Sequence, residues 1–251
     1  MLLCLQINLK MKKHNFSAGP CILPQEVMQK AAQAVVELDN SGLSLIEISH
    51  RSPDFVEIME SATSLALELL GLQNKGYKAM FLQGGASMQF IATAYNLLET
   101  KAGYCNTGTW STKAIKEAKL LGEVVEVSSS KETNFNYIPK GFDIPTGLDY
   151  LHITTNNTIF GTQYKALPES GAVLVADSSS DIFSRELDFS KFGILYAGAQ
   201  KNMGPAGTTL VVVKEDVLGK VSHQIPSMLD YKIHADTVSY THLTLPTIVS
   251  V

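Results

Sequence analysis

Cysteine is scarce in this chain of 251 residues: Cys4, Cys21 and Cys105 are odd in number and scattered. They form neither a disulfide framework nor a metal-ligand spacing, so the sequence reads as a cytoplasmic protein of a reducing compartment, with no metal. Positive charge is short as well. The 20 Lys and Arg face 24 Asp and Glu, a formal charge of -4, which leaves no basic footprint for nucleic acid or an anionic membrane. Any bound anion must be held by local geometry. Apolar runs long enough to span a bilayer are missing, as are internal repeats and low-complexity linkers. The first ten residues, "MLLCLQINLK", are apolar but lack a basic leader and a small-residue cleavage site. Residues 1–10 are read as an extension ahead of a more natural start at Met11.

What remains is 45% hydrophobic and 18% charged, enough for a sizeable core without staples. Two helices are expected first. One starts at Pro24 and stops at Gly42; the other runs from about Pro53 to Leu70. Phe55, Met59, Ala62, Leu65 and Leu69 form the inner stripe of the second, and Gly71 is its C-terminal cap. Short apolar runs then alternate with amphipathic stretches. Strands are expected at 77–83, 102–106, 123–129, 149–155, 171–177, 193–198 and 208–214, with helices at 86–98 and 110–122. That alternation is the signature of an α/β fold with a mainly parallel sheet covered on both faces.

Open α/β sheets bind ligands beyond the carboxyl ends of their strands. Those ends here deliver "GGAS", "TGTW", "NNT", Asp177 and "AQK". The "QGGAS" turn suits a phosphate at a helix N-terminus, although a plain turn capped by Ser87 accounts for it equally well. Asp177 either caps the next helix or holds a proton on a pyridine-type nitrogen. Trp110, the sole tryptophan, is either core or a stacking surface for a flat ring. Thr158 is a turn residue whose hydroxyl can reach a ring oxygen. Lys201 decides between these readings, because it stands in "AGAQKNMGPAG" among small and uncharged neighbours. A desolvated lysine has a lowered pKa and becomes a nucleophilic amine able to form a Schiff base. Lysine, aspartate, anion-binding turn and stacking aromatic together specify pyridoxal phosphate.

These stretches resemble the phosphoserine aminotransferase family, pyridoxal-phosphate enzymes of fold type I. The likeness runs through "NFSAGP", "SHRSPDF", "FLQGGASMQF", "NTGTW", "NNTIFGTQ", "VADSSSDIFSR", "AGAQKNMGPAG" and "PSMLDYKIH", covering roughly residues 14–236. It implies a large cofactor-binding domain over 11–236. Lys201 would form the Schiff base and shuttle the proton. Asp177 would partner the ring nitrogen, Trp110 stack on the ring and Thr158 meet its oxygen. Ala86, Ser87 and Gln200 would hold the phosphate, and His50 and Arg51 the anionic end of the substrate. The implied reaction converts glutamate and 3-phosphohydroxypyruvate into 2-oxoglutarate and O-phosphoserine, in a homodimer. A related step of pyridoxine synthesis is a second implied substrate use.

The likeness stops near Asp236. The following "TVSYTHLTLPTIVSV" (237–251) does not resemble the family and is read as an aberrant tail on a shortened chain. Two other readings compete. A non-catalytic fragment that binds cofactor poorly is one. The other is a different enzyme of the same fold, such as a cysteine desulfurase; those place histidine before the lysine, where Gln200 stands, and need a mobile cysteine.

Overall fold

The apolar runs become the strands of one sheet. The computed structural model describes residues 13–236; the readings made for residues 1–10 and 237–251 lie outside them. Two helices come first, Gln25–Val36 (α1) and Pro53–Leu69 (α2). Tyr77–Gln83 (β1), Ser87–Leu97 (α3), Lys101–Asn106 (β2), Thr109–Ala118 (α4) and Glu123–Ser129 (β3) follow. The second half contains Tyr150–Thr154 (β4), Val173–Asp177 (β5), Phe192–Gly198 (β6), Ala199–Asn202 (α5), Thr208–Lys214 (β7) and Tyr231–Asp236 (α6). The seven strands lie in the order β1-β7-β6-β5-β4-β2-β3. Strands β3, β2, β4, β5 and β6 are mutually parallel, and only β7 runs against its neighbours β6 and β1. The carboxyl ends of β1, β2, β4, β5 and β6 therefore share one edge.

Every residue of β4 and of β6 is buried, as expected where both faces are covered. One face packs Phe90 and Leu97 of α3 and Ile115 of α4 onto Tyr104, Val175 and Val211. The other packs Ala66 and Leu70 with Ile182 and Phe189 onto Leu151, Ile153 and Val212. The boundaries of α2 follow its sequence signals. Ser52 accepts from Phe55 N, Pro53 takes the first helical position, and Gly71, at φ +65°, closes the end. There the amides of Gly71 and Leu72 donate to Glu68 O and Leu67 O, a Schellman arrangement.

Two expectations fail locally. The buried stripe of α2 is Phe55, Met59, Ala62 and Ala66, whereas Leu65 and Leu69 are exposed. The helix packs against β1, and the small side chains of Ala62 and Ala66 permit that close approach. The first helix ends at Val36, well before Gly42, because Glu37 takes up an extended backbone (φ -161°, ψ 126°); Asp39 and Asn40 then turn the chain at left-handed φ of 45° and 58°. None of its residues is buried.

The α3–α4 side of the sheet carries a buried polar network. His152 Nε2 lies 2.7 Å from Tyr196 Oη, and the hydroxyls of Tyr104 and Tyr150 are 2.7 Å apart. The ring of Tyr104 stacks on that of His152 at 4.8 Å. Burial lowers the His152 pKa from 6.5 to about 3, so the imidazole is neutral in the folded chain. The sign for stability follows from this. Between those two values the unfolded chain binds a proton that the folded chain refuses, so stability is retained above pH 6.5 and lost as pH falls. We expect His152 to account for a loss of about 2 kcal/mol between pH 6.5 and pH 5, at ~1.4 kcal/mol per pH unit. Urea unfolding at the two pH values would show that loss in the unaltered chain and a shallower one in His152→Leu.

Candidate functional site

Five strand ends meet at one edge of the sheet, and each brings a short turn whose geometry is set by hydrogen bonds to the next. Lys201 lies in α5, the single helical turn that follows β6. Its Nζ donates to Thr158 Oγ1 at 2.6 Å and stands 5.1 Å from the centre of the Trp110 ring. Burial lowers its pKa; the nearby Asp177 and the Cys21 thiol oppose that shift. Asp177 ends β5 and is 4% exposed. Burial raises its pKa, against the hydrogen bonds from Ser179 and the charge of Lys201. Ser179 N and Oγ both donate to Asp177 Oδ1, at 3.0 and 2.6 Å, and none of the described hydrogen bonds uses Oδ2. The carboxylate is thus held by one oxygen and open at the other.

Trp110 is the second residue of α4 and packs its ring on the α3–α4 core, with Lys113 Nζ 4.7 Å from the ring centre. The turn before it is built by Ser111, whose hydroxyl accepts from Thr107 N and Gly108 N at 3.0 Å each. At the end of β1, Gly84 has φ +93°, a conformation that costs glycine little, and Gly84 N donates to Gly207 O at 2.8 Å. Helix α3 then begins at Ala86 and Ser87 with no side-chain cap. Ser87 does not take the capping part that a plain turn would give it. Met88 N and Gln89 N donate to Gly85 O and Ala86 O, which leaves Ala86 N and Ser87 N without a described hydrogen bond at the positive end of the helix dipole.

Gln200 folds back beside this turn. A Cβ added to Gly198 would meet Gln200 Oε1 at 2.9 Å, Gln200 Nε2 at 3.3 Å and Ala86 Cβ at 3.4 Å. Residues 86 and 200, far apart in sequence, therefore share one corner. Gln200 Oε1 is buried there without a partner among the described residues. A half-turn of the amide exchanges its two ends and puts the donor in that place. An uncapped helix start and an unpartnered amide fit a bound anion. With a lysine, a half-held carboxylate and an indole face beside it, the set suits a flat ring bearing a phosphate.

His50 and Arg51 are not brought into this cluster. They precede Ser52, the cap of α2; Arg51 is exposed, and His50 Nε2 is buried without a partner among the described residues. Sequence reasoning missed three residues that shape the site: Ser179, Asn157 and Cys21. Serine and asparagine in strand-end turns carry no individual signal. Cys21 comes close because the 17–21 segment runs beside Lys201: Cys21 N donates to Gln200 O at 2.9 Å, and a Cβ on Gly19 would lie 3.1 Å from Lys201 Cγ. Cys105 is fully buried.

The model of the aminotransferase class-V family matches residues 13–238. The chain belongs to this family. A phosphoserine aminotransferase of Flavobacterium johnsoniae is 66% identical over 226 residues, covering 89% of this chain and 64% of that protein. One from Bacteroides fragilis is 56% identical, over 90% and 63%. The chain thus spans a little under two thirds of the length of these curated relatives. Among solved structures, the phosphoserine aminotransferase of Bacillus circulans subsp. alkalophilus superposes with a TM-score of 0.87 at 40% identity, over 94% of this chain and 67% of that one. The pyridoxal-phosphate-bound enzyme of Trichomonas vaginalis gives 0.86 at 33%, over 95% and 68%. The class-V membership agrees with the fold type expected from the sequence.

One consequence of the turn geometry is testable by stability alone. A Cβ on Gly108 would lie 2.7 Å from Asn157 Oδ1, a buried and hydrogen-bonded atom that cannot give way. Gly108→Ala is expected to cost about 1–3 kcal/mol, the range for overpacking a close-fitted interior. Thermal or urea denaturation checks this; a fall below 0.5 kcal/mol (roughly the level of an ordinary surface substitution) would contradict it.

Proposed function

We propose that this chain is the cofactor-binding part of a phosphoserine aminotransferase, carrying pyridoxal phosphate at the strand-end cluster. The observation that carries the reading is the half-buried Lys201 amine, held by Thr158 at 2.6 Å over the Trp110 ring, beside a buried carboxylate. The high identity to enzymes of that name supports the choice within the family. The reaction is glutamate plus 3-phosphohydroxypyruvate to 2-oxoglutarate plus O-phosphoserine. The related step of pyridoxine synthesis, a homodimeric assembly and a cytoplasmic location are parts of the same proposal.

When bound, pyridoxal phosphate supplies an aldehyde for an amine and a ring that withdraws electrons from the bond that breaks. Lys201 provides that amine in a site where burial favours its neutral form. As a neutral base it can take a proton from a substrate carbon and return it elsewhere. Thr158 keeps the amine in place. Asp177, steadied by Ser179, would hold a proton on the ring nitrogen. Trp110 would cover one ring face and exclude water from it. The helix start at Ala86 and Ser87, with Gln200, would hold the phosphate, and His50 and Arg51 the anionic end of the substrate. Gln200 stands where a cysteine desulfurase typically has histidine, so the aminotransferase reading is preferred.

Borohydride reduction of the chain with pyridoxal phosphate is expected to fix one pyridoxyl group, on Lys201, and none on Lys201→Ala. The same change should lower turnover by more than about 10⁴-fold, since the covalent and proton-moving parts are lost together. Stoichiometric pyridoxyl at another single lysine of the Ala variant would remove the assignment. Asp177→Asn should lower turnover by about 10²-fold or more, the usual cost of an electrostatic partner in a dry site, with a smaller effect on cofactor affinity. Near-normal turnover in that variant would reduce Asp177 to a structural turn residue.

A further inference from the structure

The consecutive asparagines of "NNT" tie the Thr158 turn to the two turns on either side of it. Asn157 is 1% exposed. Its Oδ1 accepts from Thr107 Oγ1 at 3.3 Å, across to the turn that carries Trp110. Its Nδ2 donates to Thr162 Oγ1 at 3.0 Å, and its main-chain N to Thr162 O at 2.8 Å, which closes the 157–162 turn on itself. Asn156 faces the other way. Its Nδ2 donates to Ser180 Oγ at 2.9 Å, and that hydroxyl is 2.9 Å from Asn156 O, so the same turn is fastened to the segment that follows Asp177. The Thr158 hydroxyl that receives Lys201 is therefore fixed relative to the ring on one side and the carboxylate on the other.

We propose that Asn157, with Asn156, is a positioning residue of this site: it sets the separation between the Trp110 ring and the Lys201 amine by clamping the β2-end and β4-end turns together. Neither asparagine need touch a ligand for this. A Cβ on Gly108 would lie only 2.7 Å from Asn157 Oδ1, which shows how closely the two turns are fitted. Loss of the clamp releases Trp110 and Thr158 independently, so a ring held between them is gripped less tightly and stacked less closely.

The inference rests on the cofactor reading, and the test separates the two. Trp110 is the only tryptophan, so its emission reports on a ligand at its face without any turnover. Pyridoxal phosphate titrated into the unaltered chain is expected to quench it. In Asn157→Ala the apparent Kd should rise about tenfold, as for one buried hydrogen-bond partner lost. The quenching at saturation should also shrink, with far-ultraviolet circular dichroism unchanged. Asn156→Ala should weaken binding while leaving the saturating amplitude intact, because it frees the Asp177 side only. Thr107→Val cuts the link between the turns without altering Asn157, and decides the matter where Asn157→Ala fails to fold. Unaltered Kd and amplitude in the variant that decides overturns the clamp. Emission of the unaltered chain that ignores pyridoxal phosphate overturns the cofactor reading, and the clamp with it.

Discussion

A carboxylate buried at the end of a parallel strand is the constraint around which this edge of the sheet is arranged. Taking Asp177 out of water disfavours its charged form, and burial is the largest influence on its pKa. Another acid, Asp181, lies four residues on and is equally buried, yet it is fully engaged. Arg185 donates to Asp181 Oδ2 through Nε and Nη2, at 3.1 and 2.9 Å, and Thr155 donates to Oδ1. A buried ion pair of that completeness is spent on holding the loop. Asp177 has Ser179 on one oxygen only, and Lys201 is the cation that acts on it. One acid is structural and the other is left available, and the difference is the presence of an arginine.

The neutral network behind Asp177 belongs to the same arrangement. Tyr196 pairs with Asp177 in register across β5 and β6, and its hydroxyl reaches over to His152 on β4. Desolvation keeps the tyrosines protonated and the histidine uncharged. None of these four groups therefore carries a charge at ordinary pH that would compete with Lys201 for the carboxylate. The polar groups supply shape and hydrogen bonds without supplying a rival ion. A fully apolar face would leave Asp177 more costly to ionise, while a charged one would bind it away from the edge.

Much of this was legible before any coordinates, because strand ends are marked by abrupt changes of texture. "YKAMFLQ" into "GGAS" and "GILYAG" into "AQK" announce both the strand and the turn, and the rule for open sheets gathers those turns at one edge. The strand bounds differ from expectation by a few residues at most. Legibility ended where tertiary context chose among equals. Leu65 and Leu69 share the period of the α2 stripe, but the approach of β1 selected alanines. Asn157 and Ser179 were invisible because serine and asparagine are the ordinary residues of turns, and only the partners across the turn distinguish a clamp from a bend. Cys21 was missed because its closeness to Lys201 depends on the path of the 17–21 segment.

A chain with a net charge of -4 that is to hold a phosphate has no field to draw it in and must rely on dipoles already in place. The start of α3 meets that need in three ways that reinforce one another. The left-handed Gly84 turns the chain sharply enough for the helix to begin at the strand edge. No side chain caps the start; Met88 N and Gln89 N are taken up by Gly85 O and Ala86 O, while none of the described hydrogen bonds uses Ala86 N or Ser87 N. Gly198, lacking a Cβ, lets Gln200 lie against the same corner from the next strand but one, with a polar atom that finds no partner among the described residues. Each feature alone is a small energetic liability. On the proposed reading a bound anion would satisfy all of them at once, beside Lys201, because Gln200 and Lys201 are consecutive in α5.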